Sequence, residues 1–112
     1  MTVEQTKVID IVSLDGKTGK VILTVSDHLD WTDSVHHQEI LQAKFNAYLA
    51  FVESGELLKS YPDAAGRSIE FKVVFKFKPD HAGRGFLIEA QKIIESAGFS
   101  LRTEIFADSY DN

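Results

Sequence analysis

Asp27, His28, Asp30, Trp31, Asp33, His36, His37 and Glu39 fall within one short stretch that holds three of the four histidines and the only tryptophan. Imidazole and carboxylate together can hold a divalent metal or move a proton, so this stretch is the candidate site. Helical metal pairs need ligands four residues apart on one face, whereas His36 and His37 are neighbours pointing about 100° apart. Asp33 with His37 alone has the required spacing. A metal or small-ligand site, with hydrolysis as its chemistry, would therefore draw on His28, Asp30, Asp33 and His37. The competing reading uses the same residues differently. The aspartates cap a helix and sit at the positive end of its dipole, while Trp31 packs over the core edge. On that reading Asp27, His28, Asp30, Trp31, Asp33 and His37 form a binding edge, with no cofactor.

Other constellations carry less. Asp27 or Asp30 beside His28 could form an acid-base pair, and Ser26 and Ser34 lie nearby. No G-x-S-x-G elbow accompanies them, so no catalytic residue is assigned. His37-Gln38-Glu39 imitates half of the zinc-deaminase signature, but the chain has no cysteine for the other half. Gly83-x-Gly85, with Arg84 between, opens a helix after a strand and could approach an anion. It lacks the further glycine and the lysine of phosphate loops, and relaxing a tight turn is the simpler role.

The bulk composition narrows the classes. A chain of 112 residues, 44% hydrophobic and 26% charged, has the makings of one globular domain spanning 1–112, with about 1–6 and 107–112 frayed. Without cysteine there is no disulfide framework, thiolate metal site or thiol redox chemistry, which fits a reducing compartment. The formal charge of -5, with the acidic excess in the N-terminal half, argues against nucleic acid as a partner. The N-terminus does not read as an export signal, and no apolar run approaches the roughly 20 residues needed to cross a bilayer. The chain is therefore expected to be cytoplasmic, without a membrane partner.

The elements that must position the stretch are legible from periodicity. Two β-branched runs, 7–14 and 20–26, flank Asp15-Gly16-Lys17-Thr18-Gly19 and predict a hairpin. From about Asp33 to Ser54, Leu41, Phe45, Tyr48, Leu49 and Val52 recur at helical spacing, and Gly55 can end that helix. Residues 55–67 read as a connection. Ile69, Phe71, Val73, Phe75 and Phe77 then alternate with mostly charged residues, the pattern of a strand with one buried face. Phe86, Ala90, Ile93 and Ala97 mark a second helix, and Ser100 to Phe106 a last strand. The order ββαβαβ predicts an α+β two-layer sandwich: a four-stranded mixed sheet with two helices on one face. If Ile9 and Ile11 face the core, Asp10 and Val12 lie on the outer sheet face with Ile22, Lys72, Val74 and Phe106. That mixed apolar and charged surface is a second candidate for docking or self-association.

Val8-Ile9-Asp10-Ile11-Val12, the Asp27-His28-Leu29-Asp30-Trp31 box, Phe45-Asn46-Ala47-Tyr48, Glu53-Ser54-Gly55-Glu56-Leu57 and Gly66-Arg67 together resemble a family of short bacterial proteins of unknown function. The resemblance covers nearly the whole chain and implies a stand-alone bacterial domain, without bringing an activity or a catalytic residue. The expectation is a non-enzymatic interaction protein. It would bind an unidentified protein, or a second copy as a homodimer, through the Asp/His/Trp edge or the outer sheet face.

Overall fold

The computed structural model describes residues 11–106. The fraying expected at the two ends, and the positions of Val8, Ile9 and Asp10, lie outside those residues. Strand β1 (Ile11–Leu14) and strand β2 (Val21–Asp27) pair antiparallel as the expected hairpin. Its turn is held by Asp15, whose carboxylate accepts from the Lys17 N–H at 2.8 Å. That bond, first among several, keeps the Asp15 carboxyl below its ordinary value.

Helix α1 (Ser34–Glu53) leads from β2, and Gly55, at φ 87°, takes the left-handed conformation that ends it with little steric cost. The stretch read as a plain connection contains a short helix α2 (Glu56–Ser60) and a 3-10 turn at Pro62–Ala64. Leu57 and Ala64 are buried and pin it to the body, whereas Leu58 and Tyr61 are exposed. Strand β3 (Ile69–Phe75), helix α3 (His81–Ser96) and strand β4 (Ser100–Ile105) complete the chain.

The sheet order is β1-β2-β3-β4, with β2, β3 and β4 mutually parallel. It is the expected mixed sheet of an α+β fold. Both parallel crossovers run in the same direction across the sheet, so their common hand puts α1 and α3 on one face. There Val21, Leu23 and Val25 of β2 and Phe71, Val73 and Phe75 of β3 meet Leu41, Phe45 and Tyr48 of α1 and Leu87 and Ile94 of α3. The Tyr48 ring meets Phe71 edge-on, and its hydroxyl donates to the Thr24 carbonyl at 2.9 Å, so the polar tip is satisfied inside the core. Buried Lys44 lies along the same ring, with Nζ 5.7 Å from its centroid.

Three packing expectations are corrected. Val12 lies opposite Leu23 and packs against the core, not on the outer face, because antiparallel partners share a side. Phe77 follows the end of β3 and is 40% exposed. In α3 the buried stripe is Gly83, Leu87 and Ile94, with Phe86 and Ala90 at its margin, while Ile93 is 61% exposed. The helix is therefore rotated from the expected face.

Candidate functional site

The three parallel strands end at one edge of the sheet, and both long helices begin there. β2 delivers Asp27 as its last residue. Residues 28–33 then turn over the edge, and Asp33 caps α1 by accepting from the His36 N–H at 3.1 Å. Of the aspartates expected to cap the helix, Asp33 is the one that does, while Asp27 and Asp30 accept from turn N–H groups instead. The Asp33 cap removes the Asp33–His37 metal pair, because the carboxylate faces the helix N-terminus while the His37 ring, one turn on, faces inward.

His37 is 2% exposed and Asp27 1% exposed. His37 Nε2 meets Asp27 Oδ2 at 2.5 Å, and Nδ1 meets the Asp30 backbone carbonyl at 2.9 Å. A carbonyl oxygen can only accept, so Nδ1 carries a proton there. Nε2 and Asp27 share one further proton, and wherever it resides the pair has no net charge. Asp27 Oδ1 accepts from the Leu29 N–H at 3.0 Å, so both carboxylate oxygens are engaged. This satisfies the rule that buried ionisable groups must be paired and hydrogen-bonded. Both imidazole nitrogens are engaged inside the protein, which leaves neither open to a metal or a substrate.

Trp31 closes the dyad from outside. Its ring stacks on His37 with centroids 3.7 Å apart and planes 21° apart, and it lies 6.0 Å from Phe75. Its Nε1–H donates to the Phe77 carbonyl at 3.2 Å. On the far side the indole presses on α3: a Cβ built on Gly83 would lie 2.6 Å from Cζ3 of Trp31. Gly83 is thus needed for close approach, and it does not have the positive φ of a strained turn. Arg84, the other member of that motif, donates from Nη1 to the Pro79 carbonyl at 3.1 Å.

Asp80 joins the two helix starts. As the α3 N-cap, its Oδ1 accepts from the Gly83 N–H at 2.7 Å and from the Ser34 hydroxyl at 3.1 Å. Gln38 Nε2 donates in turn to Ser34 Oγ at 3.1 Å. Asp80 and Gly83 were not singled out as partners of the site. An aspartate three residues before the first glycine of a helix start is the available signal, but Trp31 lies about fifty residues away in sequence.

Outside this closed cluster is a rim. Asp30, Thr32, Asp33 and His36 are exposed, and with Leu29 and His37 they line a shallow depression of about 160 Å³. The Asp30 carboxylate accepts from the Thr32 N–H at 3.1 Å. That bond, then the Thr32 hydroxyl, holds its carboxyl below the ordinary value, and the nearby His37 adds in the same direction. His28 is also exposed. Among the described residues no three His, Asp or Glu side chains are placed to hold a metal, so His28, Asp30, Asp33 and His37 are not gathered into a ligand set.

The outer sheet face differs. Glu70 there meets Arg102 Nε at 2.9 Å and Lys20 Nζ at 3.4 Å, and Lys72 meets Glu104 at 3.4 Å. Its charges are paired with one another. No described helix is long and apolar enough to cross a membrane.

A family model described as a family of unknown function (DUF6572) matches residues 1–107, and the chain belongs to that family. No curated protein and no solved structure matches it.

Proposed function

We propose that this member of a family without an assigned activity is a non-enzymatic, cytoplasmic binding protein that recognises a protein partner through the rim at 28–36. The observation that carries the reading is the closed Asp27–His37 dyad. Its donors and acceptors are consumed internally, so its role is to hold a loop in place. A loop fixed at both ends by buried hydrogen bonds presents its outward groups with little ordering cost, which favours binding. Asp30 and Asp33 are the negative groups on that rim, and among the described residues no Lys or Arg side chain pairs with either. The chemistry suits a partner segment bearing lysine or arginine. The outer sheet face is the weaker choice, because its carboxylates and cations already satisfy each other.

A photo-crosslinking residue at exposed Thr32 tests this, with the same residue at Thr18 on the opposite end of the sheet as control. In the native host, position 32 should capture one defined protein that position 18 does not. Asp30→Asn with Asp33→Asn should abolish capture, since asparagine keeps both the turn and the cap while removing the charge. No capture specific to position 32, or capture indifferent to both asparagines, would overturn the reading.

A further inference from the structure

The sheet has a free edge at β4, the last strand in the order, where no described residue pairs on its outer side. We infer that this edge is a homodimer interface, in which two copies pair antiparallel about Thr103 to make one continuous eight-stranded sheet.

The first argument is the phase of the backbone. The Phe106 N–H donates to the Phe75 carbonyl at 2.7 Å, and β4 is parallel to β3 with Leu101 beside Phe71 and Ile105 beside Phe75. In a parallel ladder alternate residues bond to a given neighbour, so the even-numbered residues of β4 turn their N–H and C=O groups to β3. Leu101, Thr103 and Ile105 turn theirs outward. An antiparallel partner must therefore set odd residues against odd ones, and a two-fold axis can then pass only through a residue of the strand.

The second argument is charge. With the axis at Thr103, Arg102 of one copy, already engaged by its own Glu70, stands opposite Glu104 of the other, already engaged by its own Lys72, and again across the axis, so that the pairing extends the existing charge network. With the axis one residue earlier, Arg102 would face Arg102; one residue later, Glu104 would face Glu104. Like charges directly opposite each other are destabilising and opposite charges stabilising, so only the Thr103 register is self-complementary. The same register sets Leu101 against Ile105 on the helix side.

The third argument is the apolar surface beside the edge. Ile105 is 45% exposed, and Ile88 of α3 is 55% exposed. Ile88 borders a depression shared with Leu87, Leu101 and Thr103. A second copy placed by the Thr103 register would cover Ile105 directly and bring its own α3 toward Ile88. The usual guards of an edge strand are absent from the helix side: Leu101, Thr103 and Ile105 include no inward charge and no proline.

The test is the mass of the full chain in solution by sedimentation equilibrium, with circular dichroism of each variant as the fold control. The wild-type chain should have twice the 12.5 kDa chain mass. Thr103→Pro should be a folded monomer, because it removes an N–H that the monomer does not use. Arg102→Glu and Glu104→Arg should each be monomeric alone, since each sets like charges opposite one another. Mixed in equal amounts they should recover the dimer mass. A wild-type chain that stays monomeric at the highest soluble concentration would overturn the inference, leaving the edge to an extended peptide. A dimer that survives Thr103→Pro, or charge variants that fail to recombine while still folded, would overturn it too.

Discussion

Two regions of this small protein concentrate its charged side chains, and they use them in opposite ways. At the strand ends, Asp27 and His37 are withdrawn from water beneath Trp31, each polar atom matched to one partner. On the open sheet face, Glu70 shares Lys20 and Arg102, and Glu104 shares Lys72 and Arg102, with the cations and Glu104 reaching solvent. The first arrangement is intolerant because no water can replace a missing partner. The second is forgiving because water and a neighbouring charge can. Clustering of ionisable residues in sequence therefore says little about function until burial is known.

The sharpest way to break this contrast is His37→Ala. It strands the Asp27 carboxylate in a buried site and should cost roughly 3–5 kcal/mol, read as a large fall in the denaturation midpoint. A loss near zero would show that water reaches the dyad. Gly83→Ala should come next, at roughly 1–3 kcal/mol, since the added methyl group must displace the indole. A shift in Trp31 emission would accompany it. Asp33→Ala removes the α1 cap for about 1 kcal/mol, and Asp33→Asn should restore most of it. On the open face, Lys72→Ala should change stability by only about 0–1 kcal/mol, and less as salt is added. The smallest effect is the pH response of Asp30. Its folded-state carboxyl titrates below its unfolded value, so its contribution is present above the unfolded value and disappears as pH falls through the folded one. In Asp30→Asn the acid limb of the stability curve, below about pH 4, should be slightly flatter.

How much of this was legible in the chain follows from the range of each interaction. The hairpin, the Asp33 cap and the alternation from Ile69 to Phe75 depend on neighbours and on period, and all three stand in the structure. The partner of His37 does not: Asp27 is ten residues away, joined through a turn whose path no local rule specifies. The role of Gly83 is hidden in the sequence for the same reason. Local rules connect glycine to turns, whereas here the tryptophan on the facing loop requires its missing side chain. The α3 face was misjudged because Ile93 and Ile94 are both apolar, and only the crossing of the helix over the sheet decides which is buried. Val12 points inward because the described register of β1 sets it opposite Leu23.

The contact between Trp31 and Gly83 also limits how the family can drift. A methyl group at position 83 and an indole at position 31 compete for the same volume, so the two positions cannot change independently. Across relatives, a side chain at position 83 should appear only where position 31 has become smaller. The pair would then be visible as covariation between two sites about fifty residues apart.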